Sequence, residues 1–127
     1  MFKLVGLDHV ALSVRDVERS AAWYMDVLGL ERAYEEEFGD VPAFVGTGDT
    51  WLALFPVGAS EPQPQPGGDT LSMLHVAFRA SRADFDQARL DLRKRRIPFE
   101  FEDHEVSHSI YFRDPDGHEL EITTYEF

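Results

Sequence analysis

The chain has 127 residues, of which 43% are hydrophobic and 13% aromatic, which is enough for one folded domain with a sizeable core. Its 24 acidic and 12 basic residues give a formal net charge of −12, which disfavours binding to nucleic acid or to an anionic membrane surface. The absence of cysteine excludes disulfides, thiolate ligands and a cysteine nucleophile. We find no apolar run of about 18 residues and no apolar leader, so we expect a cytoplasmic protein without a transmembrane helix or signal peptide.

Two strand-like segments of the chain repeat each other. HVAL at 9–12 matches HVAF at 75–78, an offset of 66 residues. Each segment is followed by a predicted helix. The first helix follows Asp16, a good N-cap residue, and ends at Gly29. The second begins after Ser81 and ends in the basic run 93–96, where the helix dipole favours positive charge.

Three further strands are predicted after each helix. They cover 31–38, 43–46 and 51–55 in the first copy, and 99–102, 109–113 and 119–124 in the second. Each copy is therefore βαβββ, and the predicted fold class is α+β with two curved sheets. The proline-rich stretch after the first copy is interpreted as a linker. We predict one domain over 1–127, made of module 1 (about 4–56), linker 57–72 and module 2 (73–125).

His9, His75 and Glu121 are predicted to form one metal site. Strand alternation points all three away from the face that packs on the helices. Two imidazoles and one carboxylate suit Zn or non-heme Fe and leave coordination positions open. The repeat position matching Glu121 is Ala53, which cannot be a ligand, so one corner is left for substrate, water or O₂. The predicted cofactor is a divalent ion, and Fe, Mn, Zn, Ni and Co all remain open.

Four further residues are candidates for binding the substrate. Phe44, Trp51 and Phe55 are predicted to line the pocket, with the alternative that they belong to the core, as strand aromatics usually do. Ser109 shares the predicted pocket face with Tyr111 and completes this set.

The duplicated pattern, with HVAL and HVAF opening the modules and DPDGHELEI (114–122) closing the chain, resembles the vicinal oxygen chelate superfamily. That group includes glyoxalase I, extradiol dioxygenases, methylmalonyl-CoA epimerase, fosfomycin-resistance thiol transferases and bleomycin-resistance proteins. The resemblance covers essentially the whole chain and implies a cupped eight-stranded mixed sheet, with His9, His75 and Glu121 holding the metal. It also implies a shared mechanism, in which the ion binds vicinal oxygens of a small substrate and stabilises a developing oxyanion.

Departures from the pattern narrow the choice of reaction. Ala53 counts against glyoxalase I, which has four protein ligands. Ala11 and Phe101 stand where the fosfomycin enzymes have a threonine and a lysine, and the arginine tail of those enzymes is absent. The intact set of metal ligands counts against the bleomycin-resistance proteins.

The extradiol dioxygenases match further. Their signature consists of a histidine, a hydrophobic-Tyr pair, a D-P-x-G turn and the ligand glutamate. This chain has the same order and spacing, with His104, Tyr111, residues 114–117 and Glu121. One flanking position departs from the signature, where Glu102 replaces the usual small or aliphatic residue. This resemblance implies that His104 and Tyr111 do acid–base work beside the metal. The part from the tyrosine onward is common to the superfamily, so only His104 discriminates.

The sequence therefore predicts a divalent-metal-dependent enzyme acting on a small oxygen-rich molecule, with a dioxygenase-like reaction favoured. A glyoxalase-like lyase or an isomerase remains an alternative, as does a non-catalytic small-molecule binder similar to bleomycin-resistance proteins. The resemblance also implies a homodimer, with the modules pairing either within one chain or between two. No nucleic-acid or membrane partner is expected.

Overall fold

The computed structural model describes residues 1–58, 61–64 and 69–127. The chain divides into two compact units, Met1–Gln63 and Pro64–Phe127. The predicted linker, 57–72, spans this division, and its residues 59–60 and 65–68 lie outside the described residues. No helix in the described parts of the chain is long and apolar enough to cross a lipid bilayer.

The first unit is built on a four-stranded mixed sheet. Its elements are β1 (His9–Val14), α1 (Val17–Leu28), β2 (Glu31–Ala33), α2 (Glu35–Phe38), β3 (Ala43–Thr47) and β4 (Thr50–Pro56). The strand order is β1-β4-β3-β2, with β1 and β4 parallel and the other pairs antiparallel. Helix α1 packs on β3 and β4, and Tyr24 of the helix and Leu52 and Leu54 of β4 are all buried in the core of this unit.

The second unit repeats the same topology. Its elements are β5 (Val76–Arg79), α3 (Arg82–Lys94), β6 (Glu100–Asp103), β7 (His108–Arg113) and β8 (Glu119–Thr124). The strand order is β5-β8-β7-β6, again with the first strand parallel to the last. Apart from the four-residue helix α2 in the first unit, each unit is therefore βαβββ, and the predicted α+β fold class with two mixed sheets is confirmed.

The predicted helix ends are confirmed at three positions. Asp16 caps α1 by accepting a hydrogen bond from the Arg19 backbone N–H at 3.0 Å, and Gly29 ends the helix in the left-handed conformation, with φ 65°. Ser81 caps α3 in the same way, accepting from the Asp84 N–H at 3.1 Å. These caps are local interactions, which is why sequence alone locates them.

The predicted strand 31–38 is wrong beyond its first three residues. Strand β2 ends at Ala33, Tyr34 adopts a left-handed backbone with φ 63°, and α2 follows. The acidic run Glu35–Glu37 forms the first turn of that helix, where the helix dipole favours negative charge. Glutamate is also a better helix former than strand former. The alternating strand pattern used for the prediction therefore does not apply to residues 34–38.

The two sheets place Ala53 and Glu121 at equivalent positions. In the first sheet Ala53 on β4 lies opposite Ala11 on the parallel strand β1. In the second, Glu121 on β8 lies opposite Ala77 on the parallel strand β5. The asymmetry that the repeat predicted is therefore present in the registers, because a methyl group occupies the position in one unit that a carboxylate occupies in the other.

Candidate metal centre

His75 and Glu121 meet on one face of the second sheet. Nε2 of His75 lies 3.0 Å from Oε1 of Glu121. His75 directly precedes β5, while Glu121 stands on β8 between β5 and β7 and is only 8% exposed. A carboxylate at this depth needs compensating partners, because burial without them is costly. The imidazole is one of those partners.

The second oxygen of Glu121 has a different partner. The Ser109 hydroxyl, on β7, donates a hydrogen bond to Oε2 at 2.6 Å. Ser109 lies opposite Thr123 in the β7–β8 register, and the two hydroxyl oxygens are 3.0 Å apart. Ser109 was predicted to bind substrate, and the structure places its side chain fully buried against Glu121.

Tyr111 and His104 lie on the same face. Tyr111 is directly opposite Glu121 in the β7–β8 register, and its ring centroid is 5.6 Å from that of His75. Its hydroxyl lies 3.1 Å from Nε2 of His104. Burial raises the pKa of Tyr111 above its usual value, and the negative charges of Glu121 and Glu102 add to this effect. The phenol therefore stays protonated at neutral pH.

Glu102 and Glu119 bring two more carboxylates to this group. Oε2 of Glu102 is 3.4 Å from Nε2 of His104, and Oε2 of Glu119 is 3.7 Å from Nδ1 of His75. Glu119 shares the strand face of Glu121, because side chains two residues apart point the same way along β8.

A cavity of about 510 Å³ opens beside this face, at the end of the sheet where β6 and β8 begin. Its wall includes Tyr111 and Glu119 together with Glu100 and the apolar segment 97–99 that connects α3 to β6. The place of these connecting residues in the wall was not predictable from the sequence, because a loop has no periodicity that indicates which way it folds.

In the first unit, His9 begins β1 and lies opposite Trp51 on β4. Its Nδ1 is 2.8 Å from the Asp8 carboxylate, and its ring packs edge-on against Phe44 with 5.5 Å between centroids. The Asp8 contact leaves Nε2 as the ring nitrogen that is available to a metal, since a second-sphere carboxylate on the other nitrogen is the usual arrangement for ligating histidines.

An aromatic cluster surrounds Phe44. Tyr34 lies 5.4 Å from Phe44 and 6.0 Å from Trp51 between ring centroids, and Phe38 stacks on Phe44 at 5.3 Å. Phe44 is buried, Trp51 is half-buried and Phe55 is exposed. Because 31–38 was predicted to be a strand throughout, the contacts of Tyr34 and Phe38 with Phe44 were not predicted.

In the second unit, His75 and Glu121 are suitably spaced to be two of the ligands of a divalent ion. For metal–ligand bonds of about 2.0–2.2 Å, two neighbouring donors lie about 3.0–3.5 Å apart, and the pair His75 Nε2 and Glu121 Oε1 has this spacing. Across residues 1–58, 61–64 and 69–127, no group of three or more His, Cys, Asp or Glu side chains is assembled for a metal. The predicted third ligand, His9, belongs to the first unit.

Two βαβββ units of matching strand order, one of them carrying a histidine–glutamate pair, define a class of duplicated α+β proteins. The model of the Glyoxalase/Bleomycin resistance protein/Dioxygenase superfamily matches residues 6–122, so the chain belongs to this superfamily. The resemblance seen in the sequence is thereby confirmed.

Known relatives fall into more than one reaction class. The chain is 32% identical over 123 residues to the metallothiol transferase FosB of Staphylococcus epidermidis, covering 94% of this chain and 83% of that protein. It is also 32% identical over 129 residues to biphenyl-2,3-diol 1,2-dioxygenase 3 of Rhodococcus globerulus, covering 95% and 64% respectively. Among solved structures, a glyoxalase/dioxygenase from Nostoc punctiforme superposes with a TM-score of 0.80 at 26% identity, covering 95% and 91%. The expected preference for dioxygenases over thiol transferases finds no support in these identities.

Proposed function

We propose that this protein is a divalent-metal-dependent enzyme that acts on a small oxygen-rich molecule. The observation that carries the proposal is the 3.0 Å separation of His75 Nε2 and Glu121 Oε1 on a strand face beside a cavity. His9 is taken as the third ligand because it opens the first module as His75 opens the second. We include a homodimer in the proposal, so that His9 comes from the same chain or from a second copy.

The bound ion would act as a Lewis acid that stabilises negative charge on substrate oxygens. The chain itself supplies a proton source beside it. Tyr111, a phenol that is protonated at neutral pH, lies opposite Glu121 and 3.1 Å from Nε2 of His104. A phenol and an imidazole at hydrogen-bond distance can relay a proton to or from a reacting group, so this pair is suited to general acid–base catalysis.

The cavity indicates the size of the substrate. A volume of about 510 Å³ falls in the range of roughly 300–1,000 Å³ that small-molecule sites occupy. Tyr111 and Glu119 belong both to the cavity wall and to the neighbourhood of His75. A small molecule in the cavity would therefore reach Tyr111 and Glu119, the two wall residues that lie beside His75.

For the reaction we favour a dioxygenase-like step, in which a catechol ring opens and takes up both atoms of one O₂. The contact between His104 and Tyr111 supports a dioxygenase-like reaction. His104 is the residue that distinguishes the extradiol dioxygenase signature from the pattern common to the whole superfamily. A metal-dependent thiol transfer is the second candidate, supported by 32% identity to a metallothiol transferase over 94% of the chain.

Two assays on the purified protein separate these candidates. The Fe(II)-loaded protein is tested for O₂ uptake with a panel of catechols, and the Mn(II)-loaded protein for loss of free thiol with a panel of epoxides. The dioxygenase proposal predicts O₂ uptake that His104→Gln strongly reduces, and thiol loss without O₂ uptake would replace it with the second candidate. Protein that remains metal-free and turns over nothing would support the non-catalytic binder.

A further inference from the structure

Ser109 contacts the carboxylate of Glu121 from inside the second unit. Its hydroxyl donates to Oε2 at 2.6 Å, while Oε1 faces Nε2 of His75 at 3.0 Å. The two oxygens of this carboxylate therefore have different neighbours. One is engaged by a fully buried hydroxyl and the other is directed to the imidazole.

A second hydroxyl lies behind the first. Oγ1 of Thr123 is 3.0 Å from Oγ of Ser109 and 3.3 Å from the carbonyl oxygen of His108. A serine hydroxyl has one proton to donate, and the short contact with a carboxylate is the stronger use of it because it is charge-assisted. Thr123 donates to the His108 carbonyl oxygen, which fixes its Oγ1 beside Oγ of Ser109, and in this way it supports the position of the serine hydroxyl.

We infer that Ser109 is a positioning residue that holds Oε2 of Glu121 and leaves Oε1 alone to bind the metal. This inference rests on the proposed function, because it takes Glu121 as a metal ligand. Rotating the carboxylate to present both oxygens would break the 2.6 Å charge-assisted hydrogen bond and leave the buried Ser109 hydroxyl with only the neutral Thr123 hydroxyl as acceptor. In this proposal Ser109 acts through Glu121, while its predicted contact with substrate stays a prediction.

The test is a titration of the full-length chain with Co²⁺ alone, followed by its visible absorption. Hydrogen bonds to ligating side chains typically contribute about 10–100-fold to metal affinity, so Ser109→Ala is expected to weaken Co²⁺ binding by that factor and to alter the absorption spectrum. Thr123→Val, which removes the supporting hydroxyl and keeps the side-chain shape, is expected to cause a smaller loss in the same direction.

Thr124→Val is the matched control. Thr124 is a buried threonine of the same strand, on the opposite face, and its hydroxyl accepts a hydrogen bond from the Glu126 N–H at 3.2 Å instead of contacting Glu121. Its Co²⁺ affinity is expected to equal that of the wild type. An equal loss in this control would assign the effect to general weakening of β8 and overturn the inference.

Unchanged affinity and spectrum in Ser109→Ala would also overturn the inference. If that variant does not fold, Thr123→Val decides in its place, and a wild-type titration curve from it contradicts the assigned role. A wild-type protein that binds no Co²⁺ is a distinguishable result, since it removes the proposed metal site itself along with the role of Ser109.

Discussion

The hydroxyl of Tyr111 lies 3.1 Å from Nε2 of His104, on the strand face that carries Glu121. Glu102 approaches the same nitrogen to 3.4 Å, so Nε2 stands between a proton-bearing phenol and a carboxylate. A neutral Nε2 accepts from the phenol, and a protonated Nε2 donates to the carboxylate. The histidine can therefore act as proton acceptor or as proton donor without moving.

Tyr111→Phe removes the phenolic proton and keeps the ring beside His75. We expect turnover, in whichever of the two assays detects it, to fall by about 10²–10⁴-fold, the usual contribution of a general acid or base. Tyr125→Phe is the control, since this exposed tyrosine lies at the end of β8 and stacks with Arg79. An active Tyr111→Phe enzyme would contradict the assignment.

Removing His104 as well tests whether the two residues act as a unit. Groups that act together in one step show strongly non-additive effects. The double variant Tyr111→Phe/His104→Gln is therefore expected to be about as slow as the slower single variant. If the fold-reductions in rate of the two single variants multiply in the double variant, the two side chains contribute independently.

Gly46 allows the Trp51 indole to lie across β3. The two residues are partners in the β3–β4 register, and a Cβ at position 46 would fall on the indole and on the Thr50 carbonyl oxygen. We expect Gly46→Ala to lower the free energy of unfolding by about 1–3 kcal/mol through overpacking, measured by urea denaturation. Gly58→Ala, where a Cβ meets nothing within 4 Å, is the control. Equal stability of the two variants would contradict this role of Gly46, because the indole and the Thr50 backbone would both have to move aside at little cost.

Glu18 of α1 and Arg32 of β2 form a two-pronged ion pair, with N–O distances of 2.7 and 2.9 Å. Hydrogen bonds from the guanidinium hold the pKa of Glu18 below its usual value of 4.5. A carboxyl whose pKa is lower in the folded state adds stability above its unfolded pKa and loses it as pH falls through the folded one.

Glu18→Gln is therefore expected to destabilise the protein at pH 7 by less than about 1 kcal/mol, because solvent screens the exposed Glu18 carboxylate. The difference from the wild type is expected to shrink below about pH 4, as the wild-type carboxyl becomes protonated. Urea unfolding at both pH values measures it, and a difference that is constant with pH would contradict the role of the charge.

Local patterns were sufficient to predict much of this structure. Caps such as Asp16 and Ser81 depend on neighbours three residues away, and strand alternation put His75 and Glu121 on one face because side chains alternate along any strand. The superfamily followed from the repeat and from the closing DPDGHELEI segment.

The features that could not be predicted from the sequence depend on how deeply side chains are buried and on unusual backbone conformations. Alternation gave the face of Ser109 correctly, but it carries no information on whether a hydroxyl reaches solvent or a buried carboxylate. The positive φ of Tyr34 has no signal in its residue type, since tyrosine rarely adopts it. The cavity beside Tyr111 depends on the path of the loop at 97–99, which only the packed structure shows.

Metal content after dialysis, measured by plasma mass spectrometry on protein reconstituted with Zn²⁺, tests the central claim most directly. The account predicts about one ion per chain in the wild type and almost none in His75→Ala, Glu121→Ala or His9→Ala, while His118→Ala, which alters a histidine outside the proposed ligands, retains it. Full Zn²⁺ content in His75→Ala or Glu121→Ala would contradict the claim that these two side chains hold the metal.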